Sequence, residues 1–167
     1  MAVDTRTVQG RRQVYYAYYK ELLADAEQMV AAGARPIGNW STGQIFRHLA
    51  GSFDSSIDGL DIRIPWYFRI TARFMKKKLL SMPMPPGFTP PGEATTKLVP
   101  PPTSTEEGLT TLRQAIVRQE TEANLAASPI LGPLSKEEWT RLHLNHAALH
   151  MSFLVSKSRL LALSSLS

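Results

Sequence analysis

Cysteine is absent from this 167-residue chain, and that single absence removes several chemistries. Disulfides, zinc–thiolate sites, iron–sulfur clusters and a cysteine nucleophile are all excluded. Any metal must therefore be held by histidine, carboxylate or water. Long apolar runs are missing too, since no stretch of about 18 apolar residues could span a bilayer. Met1 to Arg12 carries charges and no continuous apolar run, so it does not read as a secretory signal. The expectation is a soluble, cytoplasmic protein with no membrane partner. Strand-type alternation and glycine-rich nucleotide loops are also missing, which points to an all-α chain. Histidine is scarce, with only four in the chain, and their placement organises what remains.

Three of the four lie in Arg141-Leu142-His143-Leu144-Asn145-His146-Ala147-Ala148-Leu149-His150, inside what reads as the last long helix. His146 and His150 are four apart, so on a helix they sit one above the other on one face, as two adjacent metal ligands must. His143 is one turn earlier. The fourth, His48, lies in Gln44-Ile45-Phe46-Arg47-His48-Leu49-Ala50, which reads as a second amphipathic helix. The spacing predicts that His48, His146 and His150 converge and bind one divalent metal.

At this length, with 43% hydrophobic and 20% charged residues, residues 1–167 form one domain. Residues 1–14 read as an irregular lead-in. Tyr15, Tyr19, Leu22, Leu23, Ala26, Met29 and Val30 then follow one helix face, and Gly33 ends the helix. The neighbouring tyrosines read as packing residues. Ser41 with Gln44 forms a capping box, with Trp40 placed to pack on Ile45. That helix runs to Asp58, before Gly59, with Ile45, His48, Leu49, Ser52 and Ser56 on one face. Pro65 opens a third helix, through Trp66, Phe68, Ile70, Phe74 and Leu79 to Ser81.

Between Met82 and Pro102 there are eight prolines and two glycines, so no helix or central strand passes through. Residues 82–103 read as a Pro-rich connecting loop strapped across the helices. Ser104-Thr105-Glu106-Glu107 is a second capping box, for a helix ending by Ser128-Pro129. Pro129, Gly132 and Pro133 form a turn. Ser135 with Glu138 is a third box, Leu134 and Trp139 are placed to pack on each other, and the final helix is expected to reach Leu163. The formal charge of +5 comes largely from Arg63, Arg69, Arg73, Lys76, Lys77 and Lys78. That cluster matches no nucleic-acid motif and reads as a solvated helix face.

Three imidazoles on two helices can supply one side of a metal ion, leaving a position for water or substrate. Zinc, nickel, copper and iron all suit imidazole. The pair His146-Ala147-Ala148-Leu149-His150 has the metalloprotease spacing, but Ala147 stands where that class has its glutamate, so a zincin protease is excluded.

Gly38-Asn39-Trp40-Ser41-Thr42-Gly43-Gln44-Ile45-Phe46-Arg47-His48-Leu49-Ala50 resembles the first-histidine motif of the DinB/YfiT-like superfamily. It looks most like a branch known only as a domain of unknown function, in which a segment such as Met84-Pro85-Pro86-Gly87-Phe88 follows. Trp139 through Phe153 is similar to that branch's last helix. The resemblance implies a four-helix bundle, here with an additional helix and the long Pro-rich connection, and a homodimer. It implies zinc, nickel or iron held by His48, His146 and His150, and a low-molecular-weight thiol activated on the metal. Phe153 stands where the family often has glutamine, and Leu149 where it tends to be polar. His143, one turn from His146, is then the candidate catalytic group, as a hydrogen-bond donor behind that ligand or as proton carrier, with a metal-bound water as the other candidate acid/base. A metal-dependent transferase or hydrolase is the first reading. The alternative is a non-catalytic dimeric bundle with structural histidines, binding a small molecule or partner.

Overall fold

Serine hydroxyls open three of the helices. Ser41 Oγ accepts from Gln44 N at 3.2 Å while the Gln44 side chain accepts from Ser41 N at 3.0 Å. Ser135 and Glu138 exchange the same pair of bonds. Ser104 Oγ accepts from Glu107 N at 3.2 Å. Each cap satisfies backbone donors that a helix start would otherwise leave unpaired.

The structure, a computed structural model, describes residues 2–87 and 98–164. It is mostly helical, with α1 (Tyr19–Ala31), α2 (Thr42–Asp58), α3 (Trp66–Phe74), α4 (Lys76–Ser81), α5 (Thr105–Thr121), α6 (Lys136–Met151) and α7 (Lys157–Ser164). Two short strands, β1 (Arg35–Pro36) and β2 (Leu154–Val155), pair antiparallel with Arg35 opposite Val155. No described helix is long and apolar enough to cross a membrane. Of the Pro-rich connection expected over 82–103, residues 88–97 lie outside the described residues.

Four helices line one core. Leu22 and Ala26 of α1, Phe46, Leu49 and Phe53 of α2, Leu112 and Ile116 of α5, and Ala147 and Met151 of α6 are all buried in it. The closest approach is between α2 and α5. A Cβ at Gly43 would fall 2.2 Å from Thr103 O, and one at Gly108 would fall 2.5 Å from Gly43 O. Backbone packs on backbone there, which only glycine permits, and the contact holds α2 in place beneath its histidine.

Several element ends differ from the sequence expectation, and each has a tertiary cause. The final helix expected to reach Leu163 is interrupted: α6 stops at Met151 and α7 resumes at Lys157. Arg12 N donates to Ser152 O at 2.9 Å, and Ile37 N donates to Phe153 O at 3.0 Å. These bonds turn the chain into β2, whose Leu154 and Val155 are fully buried. Strands of two residues leave no readable alternation, so the small sheet was not anticipated.

The first helix begins at Tyr19, not Tyr15. Arg12 clamps Asp25 with two bonds of 2.8 and 2.7 Å, and Tyr16 Oη donates to the same carboxylate at 2.5 Å. The lead-in is thus fixed in an extended path, and Tyr16 is buried while Tyr15 is exposed. The Pro65 helix breaks at Met75 into α3 and α4, and the break lets Ala72 and Leu80 enter one small cluster with Leu131. Helix α5 ends at Thr121, short of Ser128. Beyond it Ala126 N donates to Ser56 O at 2.8 Å, so this stretch is laid along α2 in extended form.

Candidate metal centre

The register of α2 is set by the Ser41 cap, which places His48 on the second turn, facing α6. His146 and His150 occupy successive turns of α6, and the three side chains meet. His48 Nε2 lies 3.1 Å from His146 Nε2, and His150 Nε2 lies 3.0 Å from the same atom. One nitrogen from each ring can be chosen so that all three lie within 4.8 Å of one another. The rings are arranged nearly edge to face, with interplanar angles of 69°, 62° and 86°, so three nitrogens converge without the rings stacking.

The tautomer of His48 follows from its other nitrogen. Leu98 O is 3.1 Å from His48 Nδ1, and a carbonyl only accepts, so Nδ1 carries the proton and Nε2 carries the lone pair. A backbone carbonyl behind a ligating histidine orients the ring and raises its basicity toward a metal. Around a tetrahedral ion with metal–nitrogen bonds of about 2.0–2.1 Å, ligand nitrogens sit roughly 3.3 Å apart. Two of the observed separations, 3.0 and 3.1 Å, are slightly shorter than this, and all three nitrogens lie within 4.8 Å of one another.

Burial also sets the charge state. It pushes His48 down to about 4 and His150 down to about 3. His146 is held well below the ordinary imidazole value by burial and by the neighbouring imidazoles. All three are neutral at pH 7, the form that binds metal. No carboxylate joins the group among the described residues. An ion held here by three neutral ligands would keep its full double charge for a fourth, anionic one.

Trp40 walls one side. Its ring stacks on His150 at 5.3 Å and 13°, and tilts over His48 at 4.6 Å. It was read from sequence as a partner for Ile45. The signal that could have revealed this role is its place one residue before the cap of the helix that carries His48. The Leu98 carbonyl could not have been found, because backbone acceptors leave no trace in residue type.

His143 is brought to a different place. It is 2% exposed, lies between the rings of Phe53 at 4.4 Å and Trp139 at 5.2 Å, and its Nε2 has no hydrogen-bond partner. Burial pushes it down to about 3. Phe153 is also outside the site. Its ring packs under the Arg11 guanidinium at 4.5 Å, while Arg11 donates to Ser152 Oγ at 3.0 and 2.8 Å. Beside these, a groove of about 290 Å³ runs along α6 past Tyr16, Met84, Asn145 and Leu149.

A model of a protein family described as "Protein of unknown function (DUF1569)" matches residues 8–157. No curated protein and no solved structure matches the chain.

Proposed function

We propose that this chain, which belongs over residues 8–157 to that family of unknown function, binds one divalent metal ion through Nε2 of His48, His146 and His150. The scaffold is read as a DinB/YfiT-like four-helix bundle made by α1, α2, α5 and α6, and the activity as that of a metal-dependent transferase or hydrolase. The observation that carries the reading is the meeting of three Nε2 atoms from two helices, one with its tautomer set by Leu98 O at 3.1 Å. Zinc, nickel and iron fit three imidazoles. When bound, such an ion lowers the pKa of a water or low-molecular-weight thiol in the fourth position.

The chain's own residues do the rest. His48 is oriented by Leu98 O, burial keeps the three imidazoles unprotonated, and Trp40 excludes water from the His150 side. His143 is assigned to packing and not to proton transfer. A ring held between Phe53 and Trp139, with Nε2 unpartnered, offers no hydrogen-bonded route for a proton at that nitrogen.

Titration with cobalt(II) tests the reading directly. Visible absorption of a tetrahedral complex is expected at one equivalent, lost in His48→Ala, His146→Ala and His150→Ala alike. Thiol-transfer and hydrolysis substrates would then be screened with the loaded protein. One observation favours a second reading. The nitrogen pairs at 3.0 and 3.1 Å are also hydrogen-bond distances, so the imidazoles can satisfy one another in a non-catalytic, dimeric bundle. That reading predicts no saturable metal binding.

A further inference from the structure

The cations responsible for the net positive charge stand beside an exposed apolar face, and the two belong to one surface. From residue 62 to residue 92 the chain has six arginines and lysines and no carboxylate. Within this stretch α3 turns Ala72 inward, 6% exposed. The opposite side carries Trp66, Ile70 and Phe74, four residues apart and therefore on one face, exposed by 72%, 47% and 89%. Tyr67 extends the face and meets Trp66 edge to face at 6.1 Å. After the break, α4 buries Leu80 and leaves Met75, Leu79 and Met82 exposed.

Arg69 and Arg73 flank the apolar arc on α3, and Lys77 and Lys78 lie along α4; all four are exposed. Lys76 is committed elsewhere, to Glu138 at 2.7 Å. Phe68 and Ala72 take the inward side of α3, while its outward side is as large and aromatic and is ringed by cations. Isolated apolar side chains on a surface need no explanation, but a contiguous stripe of this kind marks an interaction site.

We propose that the α3–α4 face docks on an anionic phospholipid surface, with Trp66, Ile70 and Phe74 among the headgroups and Arg69, Arg73, Lys77 and Lys78 against the phosphates. Charge complementarity selects this occupant. Interfacial helices combine aromatic and aliphatic residues on one side with arginine and lysine beside them, and juxtaposed cations draw such helices to acidic lipid. A second copy fits less well, because a two-fold contact would bring the same unneutralised cations together. Nucleic acid would use the cations and could stack on the aromatics, but would leave Ile70, Met75, Leu79 and Met82 wet. No described helix is long and apolar enough to cross a bilayer, and that leaves surface contact open. This inference is independent of the metal site.

The test is flotation of the full-length protein with vesicles of phosphatidylcholine alone and with about one-third phosphatidylserine. Binding to the acidic vesicles at least tenfold tighter than to neutral ones is expected, weakening as salt is raised and accompanied by a blue shift of tryptophan emission. Phe74→Glu, and separately Lys77→Glu with Lys78→Glu, should each reduce binding at least tenfold with an unchanged thermal midpoint. Both sites are exposed, so folding is spared. Equal affinity for both vesicle types, or no binding to either, would overturn the proposal. So would Phe74→Glu abolishing self-association or nucleic-acid binding in a wild type that ignores vesicles.

Discussion

The four histidines are all neutral in the folded chain and ordinary in the unfolded one, and that difference has a sign. Their folded values lie below the usual 6.5, at about 4 for His48 and about 3 for His143 and His150. Between those values and 6.5 the unfolded state binds more protons, so stability is complete above pH 6.5 and is lost as pH falls toward 4. Each histidine that stays neutral adds a slope of up to about 1.4 kcal/mol per pH unit. Urea denaturation of metal-free protein at pH 7.5 and at about pH 4.5 should show a drop of several kcal/mol. A flat profile would mean that the imidazoles are already accessible to protons.

Single residues also separate packing from chemistry. His143→Phe keeps the aromatic stack and removes the unpartnered Nε2, whose burial is itself unfavourable. The variant should be as stable as wild type to within about 1 kcal/mol and should keep its metal. Loss of metal in this variant would return His143 to the site. At this scale the sequence was most legible where a local signal was sufficient. His48 faces inward because the Ser41 cap and the apolar spacing together set its register. Tyr15 was misjudged for Tyr16, because the clamp of Arg12 on Asp25 depends on residues 13 apart.

Elements reveal the same division. Helix starts at Thr42, Thr105 and Lys136 follow serines, and caps act within four residues. Gly33 and Gly59 mark helix ends with φ of +58° and +84°, a conformation that other residues avoid. The ends at Met151 and Thr121 were illegible, since Arg11, Arg12 and Ser56 impose them from distant parts of the chain. The contact of Gly43 with Gly108 was missed for the same reason. A lone helical glycine looks like a weakness until its partner is known. Gly108→Ala should destabilise by about 1–3 kcal/mol through overpacking against the α2 backbone. Gly51→Ala is the control, since a Cβ there meets nothing within 4 Å, and it should be neutral or slightly stabilising. Equal thermal midpoints for the two variants would contradict the close approach.

At the scale of the whole molecule, the mostly helical character and the meeting of His48 with the helix of His146 and His150 were readable because absences narrowed the choices. Without cysteine, and with every histidine in two inward-facing segments, few arrangements remained. The small β1–β2 sheet and the split of the Pro65 helix were not readable, because both are set by what lies across the fold. The exposed face of α3 and α4 was hidden for a related reason. Periodicity shows that apolar residues share a side, and only the tertiary structure shows that the side faces out.

Elemental analysis by mass spectrometry, on untagged protein stripped with chelator and then dialysed against equimolar zinc, nickel and iron(II), is the most direct test of the metal centre. Wild type should retain about one ion per chain, as a tetrahedral site with three protein ligands requires, and His150→Ala should retain none. Wild type emerging without metal, or His150→Ala retaining as much as wild type, would contradict the account and make the three imidazoles a hydrogen-bonded part of the core.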